Sequence, residues 1–414
     1  MTSPYAFQSD QALSSMTADT ALHAGHATHA DTADIALTSL PDTDWIVTDS
    51  ILFTTDFRGI VRGGAGNAYS GDSAHTTINL GVACTTSGYH STIGGGHSNR
   101  ATANSALVSG GTNNRATGLW ATVSGGIGNS ATGISAYVGS GSNNQAGGTG
   151  ATVGGGTLNR ATGEWSVVTG GGGQLPGDGN AAVGDYSVVV GGNRNRALGQ
   201  YASVLGGGGG ASVDSNVASG DYATTVGGRG NVAEGAYSVA MGKNAWAAND
   251  NAFVWSDGSS GSLPFPSLGN KTFTVVASGG FDFYSALGGL GVPATGVELS
   301  PGSGAWSSLS SRAAKDDIKP VDGAAILAKV AQLPISEWRY KSQADSIHHI
   351  GPMAQDFYRL FRLGDSDEMI CAVDPDGVAL AAIQELHKRN LLLEAEVAEL
   401  RDLLNTLVKG CSGQ

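Results

Sequence analysis

Charge is scarce in this sequence, and lysine is missing from its whole front half. Charged residues make up 14% of the chain, against ~25% in ordinary globular domains, and the first lysine is Lys243. With 22 basic and 35 acidic side chains the net charge is −13, which argues against a nucleic-acid-binding surface. The three cysteines, Cys84, Cys371 and Cys411, lie far apart with no CxxC pair, so neither a disulfide framework nor a zinc site is expected. No apolar run reaches the ~18 residues of a membrane span. The opening MTSPYAFQSDQ lacks the basic start and apolar centre of a signal peptide, so the export route is not written here. Glycine is what abounds: 65 of 414 residues, with no three-residue period over any long stretch, which excludes collagen.

Residues 6–36 place a small side chain at every third position, from Ala6, Ser9 and Ala12 to Ala33 and Ala36. An α-helix drifts about 60° every three residues and cannot hold such a face. An extended chain with three residues per turn can. Residues 1–40 therefore read as an extended Ala-rich stalk, suited to three chains wound together, with a low-complexity disordered leader as the other reading. His23, His26 and His29 share the period, but in an extended chain they would stand ~9 Å apart, too far to share one metal ion. Residues 41–92, with the β-rich run Trp45–Thr54, read as a neck.

A sharp repeat follows over 93–245. Asn99, Asn114, Asn129, Asn144, Asn159, Asn180, Asn195, Asn216 and Asn231 are spaced by 15 or 21 residues. Two positions after each stands an alanine, from Ala101 to Ala233; seven after, always Ala or Ser; nine after, usually Val, from Val108 to Val204. Four after, the residue is glycine from Gly118 to Gly235, with Ala103 the exception. A unit this short fits two strands and two tight turns, which is a β-solenoid signature. Glycine, and asparagine after it, is expected to supply the positive φ of the turns, while the Ala, Ser and Val columns face a thin core. So thin a core motivates association of several chains.

Six positions after each asparagine runs another column, including Trp120, Trp165, Tyr186, Tyr201, Tyr222 and Tyr237. Such a stripe could stack sugar rings or pack between chains, and the second is the commoner use of surface aromatics. Six-residue insertions in Gly170–Gly179 and Gly206–Ser215 add loops, where binding often evolves. The whole pattern resembles the head repeats of trimeric autotransporter adhesins and of phage tail fibres. That resemblance implies a trimeric, left-handed parallel β-roll without a catalytic site.

After a β connector, 246–309, come Trp306, Ser310 and Lys315, then Trp338-Arg-Tyr340, His348-His349-Ile-Gly-Pro-Met-Ala-Gln-Asp-Phe357 and Val373-Asp-Pro-Asp-Gly377. In this order the motifs closely resemble the C-terminal intramolecular chaperone of phage tailspikes and fibres, a family of self-cleaving Ser–Lys endopeptidases. The resemblance implies an α+β foldase over 310–377 that trimerises the fibre and then cuts itself off. By position, Ser310 would be the nucleophile, Lys315 its partner, and Leu309–Ser310 the broken bond. Ser311 stands where the family usually has Asp. Serine can attack the carbonyl just before it if a base takes its proton, and an amine stripped of water can serve. Each chain would cut once, so it is an enzyme at most in a single-turnover sense. His348 and His349 read as structural rather than as a second base. Residues 378–414 close the chain with heptads: Ile383, Asn390, Val397 and Leu404 on one seam position, Leu386, Leu393, Leu400 and Leu407 on the other. By themselves such heptads lean toward a parallel dimer; the trimer is what the family resemblance implies.

The fold expected is thus mainly β: stalk, solenoid head, connector, and a chaperone ending in a coiled coil. The expected function is a homotrimeric structural and adhesive fibre, extracellular, on a cell surface or on a virion. Its partners would be its own copies and a cell-surface glycan or other receptor. No cofactor or metal is expected. Two alternatives stand beside it. One is a surface filament with a retained C-terminal cap. The other is a glycanase, which needs two facing carboxylates, for which Glu164, Asp178, Asp185, Asp214, Asp221 and Glu234 are the solenoid's candidates.

Overall fold

The computed structural model describes residues 77–411 without a break and, before them, 45–48, 51–54, 60–61, 66 and 68–69. The stalk expected over 1–40, with its histidines, lies outside the described residues. The chain divides into two compact units, Met1–Ser278 and Gly279–Gln414.

The first unit is a parallel β-solenoid. Each repeat contributes two strands of two residues, such as Arg115–Ala116 and Thr122–Val123. Each strand pairs in register with its equivalents one repeat before and after. The result is two ladders, of 13 and 14 strands, that run past 93–245 on both sides, from Ile60–Val61 to Phe273–Val276. About twelve turns lie between residues 78 and 256. A third line of single bridges, from His97 through Thr112, Ile127 and Ser142 to Thr157, joins the coils along another side.

Alternation puts one residue of each short strand inside. All nine alanines two places after the asparagines are fully buried, as are the valines from Val108 to Val204. The inward assignment of those columns holds. The interior they fill is narrow: Ala, Ser and Val predominate in these columns, with Ile93 and Thr225 among the other buried side chains.

The asparagines play a part different from the turn role expected of them. Asn99 to Asn231 are buried, and none of them has a positive φ. The left-handed residue is often the one before, as at Ser98 (φ 55°), Asn113 (56°), Asn143 (55°) and Leu158 (61°). The asparagine amide instead satisfies backbone. Asn144 Nδ2 donates to Ser140 O at 2.9 Å within its coil and to Gly156 O at 2.8 Å on the next. Its Oδ1 accepts from the Asn159 amide at 3.0 Å. The same three bonds recur around each asparagine, and one coil before the first of them Cys84 holds the slot, its Sγ accepting from Asn99 N.

Glycine is required for two reasons. Gly111 has φ +85° at a corner. Gly118 has ordinary φ, but a Cβ there would stand 2.0 Å from the Gly133 carbonyl oxygen of the next coil. Close approach, not turn geometry, makes that second column glycine.

The second unit opens with an antiparallel sheet of Phe281–Leu287, Pro293–Leu299 and Ser307–Ser308. A single 3₁₀ turn, Arg312–Ala314, leads to the helix Gly323–Val330, whose N-cap Asp322 accepts from Ala324 N and Ala325 N. The hairpin Ser336–Trp338 with His349–Gly351 and the helix Ala354–Phe361 follow. A 39-residue helix, Val373–Cys411, ends the unit. Its core is small: Phe357, Phe361 and Val378, with Ile326, Val330, Leu333, Leu360 and Ile370 against them.

Candidate active site

Two short elements place Ser310 and Lys315. Upstream, Ser308 and Ser307 pair with Val297 and Glu298, and the Leu309 amide donates to Gly296 O at 2.9 Å. Residues 307–309 are thus the outer strand of the antiparallel sheet. Downstream, Ser311 is the N-cap of the 3₁₀ turn, its Oγ accepting from Ala313 N at 3.2 Å. The turn closes with Lys315 N donating to Arg312 O. One tight turn therefore brings a side chain five residues on back to the serine: Lys315 Nζ donates to Ser310 Oγ at 2.6 Å. Both residues are exposed in the single chain.

Ser311 accepts from the turn as an aspartate would, since both side chains are N-caps. The residues that the sequence reading left without a role are Trp306 and Gly296. Trp306 packs against Phe281 and Phe283, with ring centroids 6.4 and 5.6 Å apart. An aromatic residue three places before the bond was the available signal.

His348 and His349 bond within and beside their own hairpin. His348 Nε2 lies 2.8 Å from Asp345 O, and its Nδ1 3.1 Å from Glu337 Oε1. His349 Nε2 meets Gln343 Oε1 at 3.0 Å, and its ring packs on Trp338 and Tyr340. Both have structural partners.

Most of the carboxylates weighed for a glycanase are tied to neighbouring coils. Asp185 accepts from Glu164 N and Asp221 from Gln200 N, each at 2.9 Å. Glu234 accepts from Trp246 Nε1 at 2.8 Å. The two insertions follow one plan: Asp178 pairs with Arg194 on the next coil, and Asp214 with Arg229 at 3.3 Å. These loops are pinned to the solenoid by charge.

The aromatic column lies at left-handed corners, from Trp120 (φ 59°) to Tyr237 (φ 57°). Tyr186, Tyr201, Tyr222 and Tyr237 stack on one another with centroids 4.8–5.0 Å apart. Desolvation first, then Tyr201, Tyr237 and Asp221, push the Tyr222 phenol above its ordinary value. Ring faces that touch each other are closed to a sugar. The four tyrosines thus stack within their own chain, an option beside the two considered from sequence, while Trp120 and Trp165 of the same column are exposed.

Among the described residues no three His, Cys, Asp or Glu side chains are grouped to hold a metal ion, and no helix is long and apolar enough to cross a membrane. Residues 310–362 match the S74 peptidase family, chaperone of endosialidase. No curated protein matches the sequence.

Proposed function

We propose that this chain, which carries a chaperone of endosialidase segment behind a parallel β-solenoid, builds a homotrimeric, tail-fibre-like structural and adhesive protein outside the cell or on a virion. Its C-terminal unit directs assembly and then releases itself by cutting Leu309–Ser310. The contact that carries this reading is Lys315 Nζ against Ser310 Oγ, at the first residue of the matched segment.

In the proposed reaction the neutral amine of Lys315 takes the hydroxyl proton while Ser310 Oγ attacks the Leu309 carbonyl carbon. The Leu309–Ser310 C–N bond breaks, the proton passes to the new Ser310 amine, and Leu309 is left as an ester on Oγ. Water then cleaves the ester, giving a Leu309 carboxylate and a fragment that begins with a free Ser310 amine. The amine must lose its water to act as a base, since desolvation favours the neutral form. In the single chain both groups are exposed, so the cut belongs after neighbouring chains have covered the site.

The terminal helix supports assembly. Its seam residues Ile383, Leu386, Leu393, Val397, Leu400, Leu404 and Leu407 are all exposed, which suits a coiled coil with other chains. The β-branched residues opposite Leu lean by themselves toward two strands, and the count of three is taken from the chaperone segment. In the same unit the buried apolar side chains are Phe357, Phe361, Val378 and Ala382. A left-handed roll, three to a head, completes the architecture proposed, with a cell-surface glycan or another receptor as its target.

Intact mass under native and denaturing conditions tests the reading. Wild type should give a native species of three chains and, when denatured, a head ending at Leu309 and a fragment beginning at Ser310. Ser310→Ala should stay at the full 41.6 kDa. Lys315→Arg should also stay uncut, because arginine holds its proton near neutral pH. A trimer that stays whole for days would make residues 310–409 a retained cap, and a monomer would remove the fibre reading.

A further inference from the structure

The family match begins at Ser310, so whatever holds the bond from its upstream side lies outside the matched segment. That side is a built structure. Ser307 and Ser308 are paired with the sheet, Leu309 N donates to Gly296 O at 2.9 Å, and the Trp306 indole rests on Phe281 and Phe283. Four consecutive residues before the bond are anchored, through backbone and side chain in turn. At Gly296 a Cβ would stand 2.3 Å from Phe283 O and 2.5 Å from the Tyr284 ring, so the strand that receives Leu309 packs without room for a side chain. On the other side, the capped turn 311–315 holds the hydroxyl and the amine. The Leu309 carbonyl sits where the two anchored pieces join.

We propose that the Phe281–Leu299 hairpin is the substrate platform of the self-cleavage: it binds residues 306–309 as an added strand and fixes the Leu309 carbonyl before Ser310 Oγ. The inference rests on the cleavage reading above. Strand addition is a general way to hold a peptide, because main-chain bonds fix its register and side-chain contacts its face. Its benefit here is orientation, since small misplacement of reacting atoms costs orders of magnitude in rate. The platform also decides the fate of the product. Every bond that anchors 306–309 is made to residues upstream of the cut, so this strand stays with the solenoid-bearing product, which ends as a paired strand. Trp306, Phe283 and Gly296 are positioning residues, since none touches the hydroxyl or the amine.

The test follows cleavage against time in the full chain, with native mass measured alongside. Trp306→Ala should still trimerise but cut about 10- to 100-fold more slowly, and Trp306→Phe should recover most of the rate. The pH profile of the residual cleavage should match wild type, because the Ser310–Lys315 pair is untouched. Phe283→Ala removes the same contact from the hairpin side and should behave alike. A Trp306→Ala trimer that cuts at the wild-type rate overturns the proposal. Loss of the trimer in both variants overturns it too, because the hairpin would then be an assembly element. An uncut wild type fails separately, at the cleavage reading itself.

Discussion

Asn144 shows what one residue does in every coil. Its single side chain satisfies two carbonyls and one amide of the buried backbone, across two coils. Neither aspartate nor serine can replace it, since the amide must donate twice and accept once. Asn144→Ala removes all three partners at once. Each group left without a partner costs ~1–3 kcal/mol, so the loss should be about 3 kcal/mol or more. Asn143→Ala next door, exposed and with φ 55°, should cost about 1 kcal/mol or less. Denaturant midpoints of the two variants, compared at equal protein concentration, check the difference. Equal midpoints would mean that the ladder is incidental.

At the scale of elements, the solenoid's last turns are fastened by a different device. Asp257 follows the strand Phe253–Ser256 and reaches forward to the end of the next one. Its Oδ1 accepts from Ser259 N at 2.7 Å, and its Oδ2 from both the amide and the hydroxyl of Ser278 at 2.6 Å. Hydrogen bonds from the Ser259 and Ser278 side chains, then from their amides, hold this carboxyl well below its usual range. A depressed carboxyl stabilises the fold above its unfolded pKa of ~3.9, and that stability is lost as pH falls through the folded value. Wild type should therefore exceed Asp257→Asn in urea midpoint at pH 6. The gap should close as the pH drops below about 4. A gap that is the same at pH 6 and pH 3 would show that the charge contributes nothing. The terminal helix is the opposite kind of element, regular in sequence yet supported over only its first few turns. Past Glu385 its residues are exposed as far as Lys409, so its heptad seams are left uncovered in the single chain and would be covered by other chains in the proposed trimer.

For the whole molecule, the prediction concerns assembly. Each coil buries a few small side chains, and the C-terminal unit has a small core of its own. Neither is rich enough to make association optional in the proposed reading. A gene truncated after Leu309 should therefore yield monomeric or aggregated solenoid, with sheet ends left to pair wrongly. Full-length chain should yield trimer. Sizing of both after identical expression decides it, and soluble trimers from the truncated gene would end the claim of an obligatory chaperone.

The solenoid was legible from spacing alone, because a strict period is what stacking of equal coils demands: Ala101 to Ala233 had to share an interior. The serine and lysine were legible as a pair only through a family likeness, since five residues of separation fit many loops. Folding decided the rest. Asparagine and glycine look alike as turn formers, and only the stacked coils separate their tasks, one amide bridging three backbone groups and one missing Cβ admitting a neighbour's carbonyl. Likewise, Trp306 lies 25 residues from Phe281 and 23 from Phe283 along the chain, and no local pattern links them. The hairpin brings them together because antiparallel pairing sets side chains of distant residues on one face. Short-range period carries local geometry; contacts that close a loop exist only once the chain has folded.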